Sequence, residues 1–107
     1  VKFEEYNHLC VIRPEGDLAG PEADALRRAA EARVGRGNAD VVIDLQATPF
    51  ISGTGLEALL DVKRRCDANG GRLRLTRLPG NCRQILRLTR LEDRFECHAQ
   101  LPDGISR

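Results

Sequence analysis

Residues 40–60 read DVVIDLQATPFISGTGLEALL, and no other stretch restricts the fold as much. The run Val41-Val42-Ile43 is apolar without a break, the mark of a buried strand. After Asp44 and Leu45 comes a short loop. A helical pattern then opens at Ser52-Gly53-Thr54-Gly55 and carries Leu56, Leu59, Leu60 and Cys66 on one stripe. A buried strand that feeds a helix is half of a crossover unit, so parallel strands are implied. The same stretch delivers hydroxyl groups to a helix N-terminus. Free backbone N–H groups and the positive end of the helix dipole favour an anion there.

The remaining segments extend this alternation. Val1–Tyr6 and Leu9–Arg13 read as two short strands joined by a tight turn at Asn7-His8. Pro14 to Gly20 is loop, and Pro21 stands at a first helical position with Glu22 and Asp24 behind it. Ala23, Leu26, Ala30 and Val34 recur at helical spacing up to the stop signals Gly35 and Gly37. The second helix ends at Asn69-Gly70-Gly71, and Arg72-Leu73-Arg74-Leu75-Thr76 alternates like a half-buried strand. Pro79-Gly80-Asn81 opens a third, shorter helix with Cys82, Ile85, Leu86 and Thr89 inward, and Phe95–Ala99 forms a last strand.

The order β-β-α-β-α-β-α-β predicts an α/β fold. Its sheet is small, mixed and largely parallel after an initial β-hairpin, with helices packed mainly on one face. At 107 residues the chain fits one domain over residues 1–107, with 100–107 as a loose tail.

No apolar run is long enough for a membrane, and no secretory leader is visible, so the reading is a cytoplasmic protein without membrane insertion. The start at Val1 is expected of a trimmed start or of a piece of a longer protein. Cys10, Cys66, Cys82 and Cys97 are far apart and form no CxxC pair; His8 and His98 are near neither each other nor such a pair. Neither a metal nor another cofactor is expected, and the thiols read as small buried apolar groups without disulfides. Charge is unevenly spread. Residues 1–62 carry 6 basic and 11 acidic side chains, whereas residues 63–94 carry 10 basic and 3 acidic ones. The basic stretch from Lys63 to Arg94 could face an acidic partner or a nucleotide, or form a solvated surface. Aromatic side chains that would stack bases are almost absent there, so DNA is not an expected partner.

In their order these pieces resemble the STAS domain, the family of bacterial anti-sigma factor antagonists and of sulphate-transporter cytoplasmic tails. The resemblance is carried by the opening hairpin, Glu15-Gly16-Asp17-Leu18, Val42-Ile43-Asp44-Leu45 and Phe50-Ile51-Ser52-Gly53-Thr54-Gly55-Leu56. The Gly70-Gly71 helix end and Leu91-Glu92-Asp93-Arg94-Phe95 complete it, over nearly the whole chain. In that family the loop reads phenylalanine, apolar, aspartate, serine, serine or threonine, glycine, leucine. Its second hydroxyl is phosphorylated by an anti-sigma factor kinase. The resemblance therefore implies Thr54 as the phosphoacceptor, with Ser52 as second choice. It also implies partner switching, in which the unphosphorylated chain binds the kinase and releases its sigma factor. The implied docking surface is the loop Pro49–Gly55, with Ser52, Gly53, Thr54 and Gly55, and the exposed face of the second helix, with Glu57, Asp61 and Arg64 at the rim. Two positions depart from the family. Ser52 stands at one usual aspartate, and Ala19 at another, with Asp17 matching the acidic residue before it. These departures bear on phosphorylation more than on docking.

Other readings remain open. Thr54-Gly55-Leu56-Glu57 fits a T-x-x-E capping box, and Ser52 could cap the helix instead. No motif places a histidine beside either hydroxyl, and Gly53-Thr54-Gly55 lacks the spacing and ending of a P-loop. No catalytic residue is assigned, and the reading is a non-enzyme. The resemblance extends to a small accessory subunit of bacterial phospholipid-trafficking ABC transporters, which docks on the ATPase through the same helix start. Nucleotide binding by the arginine-rich half, through Arg72 and Arg74, is a third reading.

Overall fold

The structure, a computed structural model, describes residues 1–35 and 39–105. The stop signal at Gly37 and the tail residues 106 and 107 lie outside them. Five strands form one sheet: β1 (Lys2–Glu5), β2 (Cys10–Arg13), β3 (Asp40–Asp44), β4 (Arg72–Thr76) and β5 (Glu96–His98). They are connected by α1 (Gly20–Arg33), α2 (Gly53–Ala68) and α3 (Gly80–Leu88). β1 pairs antiparallel with β2, and the other neighbours are parallel, in the order β1-β2-β3-β4-β5. Each crossover steps one strand further in the same direction. Crossovers of one hand then put every helix on the same face. The predicted α/β fold is the one adopted. The sequence pattern does not announce the short 3-10 turn at Glu92–Arg94 between α3 and β5.

Strand alternation sorts the two faces of the sheet. Cys10, Ile12, Val41, Ile43, Leu73 and Leu75 join one apolar core with Leu26 of α1, Leu59 and Val62 of α2, and Leu86 of α3. Burying a side chain of this size contributes about 2 kcal/mol. The stripe on α2 runs through Gly55, Ala58, Leu59, Val62 and Cys66. Leu56 and Leu60 are only half-buried, because small residues at the centre let α2 lie close to its neighbours. Thr89 is not turned inward. It is the exposed C-cap residue of α3, and its hydroxyl donates to the Ile85 carbonyl at 2.8 Å.

The thiols are free; Cys10, Cys66 and Cys82 are buried and Cys97 half-buried. Burial pushes Cys66 up to about 12 and Cys10 up to about 11. At the end of α2, Gly70 adopts φ +77°, and Gly71 passes so close to Ala39 that a Cβ would lie 2.1 Å from its carbonyl oxygen. In the tail, Leu101, Pro102 and Ile105 are half-buried, and Gln100, Asp103 and Gly104 are exposed. No helix is long and apolar enough to cross a membrane among the described residues.

On the face away from the helices the strands end in charge. Asp44, 3% exposed, accepts from Arg77 Nε at 3.0 Å and Nη2 at 2.5 Å, from Arg13 Nε at 3.1 Å and from the Gln46 N–H at 3.2 Å. Arg13 also reaches Glu4. Burial opposes ionisation of Asp44, but the bonds from Arg77, Gln46 and Arg13 outweigh it and hold the carboxyl below its ordinary range. A carboxyl lowered on folding stabilises the fold fully above its unfolded value of about 3.9 and loses that stabilisation as pH falls through the folded value. The urea midpoint is expected to drop between about pH 5 and pH 2. Asp44→Asn, weaker already at neutral pH, should show a shallower drop; an equally steep one would mean that other carboxylates govern acid unfolding.

Candidate functional site

The loop after β3 and the loop after β2 run side by side and hold each other. Leu18 N–H donates to the Phe50 carbonyl at 2.9 Å, Ser52 N–H donates to the Leu18 carbonyl at 3.1 Å, and Leu18 and Ile51 form a parallel bridge. Both apolar side chains are buried and act as pegs beneath the loops. From the other side, Asn81 Nδ2 donates to the Pro49 carbonyl at 2.9 Å and the Cys82 thiol to the Thr48 carbonyl at 3.1 Å. The loop that leads into α2 is thus fixed by contacts with two other segments of the chain.

Ser52 is the N-cap of α2. Its backbone is extended, at φ −84° and ψ 177°, and its hydroxyl accepts from Gly55 N–H at 3.1 Å. The same hydroxyl donates to the Leu18 carbonyl at 3.3 Å. Thr54 is therefore inside the helix, and the T-x-x-E capping box does not form. The local pattern offered two caps, and contact with Leu18 selects the earlier one. Thr54 is exposed; its oxygen accepts from Gly20 N–H at 3.3 Å and shares a hydrogen bond with the Ser52 hydroxyl at 2.9 Å. Gly20 is the first residue of α1, so the Thr54 hydroxyl lies where both helices begin.

Gly55 is buried, and a Cβ there would lie 2.1 Å from the Leu18 carbonyl oxygen and 3.0 Å from Ile51 Cγ2. Its function is close approach of α2 to the neighbouring loop, and it offers no side chain to a partner. Ile51, inside the expected docking loop, is buried as well. The exposed part consists of Pro49, Phe50, Gly53 and Thr54, continued by Glu57 and Arg64 on α2. Asp61, half-buried, is already engaged, with Arg27 of α1 at 3.0 Å and with Arg64. Sequence reading missed Leu18, Gly20 and Arg27. They lie 34 residues from their partners, and nothing local marks them.

Among the described residues neither histidine hydrogen-bonds Ser52 or Thr54; His98 Nε2 instead meets Glu96 at 2.7 Å on β5. No three His, Cys, Asp or Glu side chains gather as metal ligands among the described residues. The basic stretch is largely paired. Lys63, Arg64, Arg65, Arg72, Arg77, Arg83 and Arg87 all meet carboxylates, including Arg72 with Glu96 at 2.7 Å. Arg74 has its Nε buried without a hydrogen-bond partner.

A sequence model of the STAS domain matches residues 1–104. The chain belongs to the STAS domain family. Similar STAS structures include a Thermotoga maritima protein provisionally described as an anti-sigma factor antagonist. It has a TM-score of 0.85 and 14% identity, over 94% of this chain and 86% of that one. An anti-sigma factor antagonist from Mycobacterium paratuberculosis gives a TM-score of 0.79 and 26% identity, over 94% and 85%. The Bacillus cell fate determinant SpoIIAA in its phosphorylated form gives 0.73 and 18%, over 92% and 91%. No curated protein matches the sequence.

Substitutions separate capping from exposure at this STAS site. Ser52→Ala is expected to lower stability by about 1 kcal/mol through loss of the cap, and Thr54→Ala by no more than about 0.5 kcal/mol. Gly55→Ala should cost more than either, on the order of 2 kcal/mol or above, because backbone must move. Urea unfolding at neutral pH measures all three; a larger loss at Thr54 than at Ser52 would reverse the cap assignment.

Proposed function

We propose that this STAS domain is a cytoplasmic, non-enzymatic interaction domain of anti-sigma factor antagonist type. It binds an anti-sigma factor kinase through the loop 49–55 and the exposed face of α2, and phosphorylation of Thr54 ends the binding. The observation that carries this reading is the division of labour between two hydroxyls. Ser52 holds the helix, and Thr54 stands exposed at the meeting of two helix N-termini.

The chemistry follows from that division. Phosphate on Thr54 adds about −1.5 to −2 charge at neutral pH. Two helix starts present N–H groups and positive dipole ends to it, so the domain itself tolerates the charge. A docked partner does not. Phosphate beneath it would lose water, at a cost of several kcal/mol per buried charge without a dedicated partner. Beside Thr54, Phe50 is 45% exposed and offers an apolar anchor, with Glu57 and Arg64 as polar rim. Ser52 remains the second-choice phosphoacceptor, and its modification would remove the cap.

Capture from a native-host lysate with wild-type and Thr54→Glu baits, read by mass spectrometry, tests the reading. A soluble kinase of the anti-sigma factor type is expected on wild type and at least tenfold depleted on Thr54→Glu, about 1.4 kcal/mol or more. The melting temperature of Thr54→Glu should stay within a few degrees of wild type. Equal capture by both baits would end the switch, and recovery of a transporter ATPase would move the protein to lipid trafficking.

A further inference from the structure

The parallel strands β2, β3 and β4 present their carboxyl ends at one edge, and a hollow of about 200 Å³ opens there beside Asp44. A concave surface with a few convergent polar groups is the kind of place where small ligands bind. Asp44 forms the floor, flanked by Arg13 and Arg77, with Lys2, Glu15 and Gln46 at the rim. One water needs only about 10–15 Å³ of such space, so the hollow has room for a small polyatomic ion.

Two guanidinium groups, 18% and 17% exposed, share the one carboxylate of Asp44. Glu4 draws Arg13 toward the outer edge. Arg77 keeps its fork over Asp44 from a left-handed backbone, φ 53°, a conformation that side chains disfavour. That conformation is held by its N–H donating to the His98 carbonyl at 3.1 Å. Arg77 Nε and Nη2 are spent on Asp44, and Nη1 makes no hydrogen bond among the described residues. Lys2 meets Glu15 at 3.5 Å with both side chains mostly exposed, a pairing that water readily parts.

We propose that this hollow binds a small oxyanion, a carboxylate or a phosphate group. Arg77 Nη1, Lys2 Nζ and the Gln46 side-chain amide are its donors. Glu15 is the internal competitor, holding Lys2 when the hollow is empty. Planar guanidinium donors suit both oxyanions, and partial burial strengthens each charge-assisted bond. The site is separate from the docking surface and does not rest on the function proposed for it. The two share loops, since Gly16 N–H donates to the Ala47 carbonyl at 3.0 Å between them.

Two-dimensional amide NMR of the full chain tests this, with inorganic phosphate and succinate titrated separately at ionic strength held constant with sodium chloride. Saturable shifts at Gln46, Ala47 and Arg77 are expected with either oxyanion and not with chloride alone. Lys2→Gln should weaken binding about three- to tenfold, and Glu15→Gln should tighten it about threefold. Both changes fall on exposed side chains and leave the fold intact. Arg77→Lys keeps the charge but loses the fork, and should weaken binding with only a modest change in the urea midpoint. Shifts that never saturate, that centre on Gly53 and Thr54, or that persist undiminished in Lys2→Gln would overturn the proposal.

Discussion

The carbonyl group of Leu18 is the point on which both helix starts depend. It accepts from the backbone and the hydroxyl of Ser52, and Gly55 presses against it at a separation that excludes any side chain. Ser52 can then cap α2 only in the register observed, and Thr54 falls beside Gly20 at the start of α1. One acceptor atom thus couples two loops, two helices and the placement of an exposed hydroxyl. A rigid helix start is a good platform for a switch, because a charge added there meets groups already oriented and requires no rearrangement.

Electrostatics support this arrangement in two different ways. Across α1 and α2, Arg27 meets half-buried Asp61, and Arg65 meets Glu31 in solvent, where such a pair contributes at most about 1 kcal/mol. Their effect is on which helix faces meet more than on stability. Asp44 differs, because it is almost fully buried and two arginines reach it from β2 and from the end of β4. Removing one partner there would leave a poorly solvated charge, so the cluster also constrains where the three strands end.

Most of the fold could be read from the chain. The apolar run at Val41–Ile43, the alternation at Leu73 and Leu75 and the helical recurrence of Ala23, Leu26 and Ala30 are local signals, and the structure agrees with them. What escaped reading was decided by distant contacts. Ser52 and Thr54 offer equally good local caps, and only Leu18 distinguishes them. Gly55, read as part of a contact loop, also has a role in internal packing through its lack of a Cβ. Leu56 seemed central to α2 by spacing but is half-buried, and Ala58 and Val62 stand on the buried stripe. Arg13, Asp44 and Arg77 come together from positions more than thirty residues apart. The one local clue was an acidic residue closing an apolar strand.

The burial of the cysteines has a chemical consequence of its own. All four thiols titrate above their ordinary value, mainly through desolvation, with Cys66 and Cys10 furthest displaced. At neutral pH a thiol with a value near 11 is ionised in about one molecule in ten thousand, and the thiolate is the form that oxidants and electrophiles attack. Cys10 and Cys66 are therefore nearly inert to peroxide and to disulfide exchange in the folded chain. Oxidative chemistry becomes available to these two thiols only when the core opens, so damage at Cys10 or Cys66 would report unfolding and not a change of signalling state.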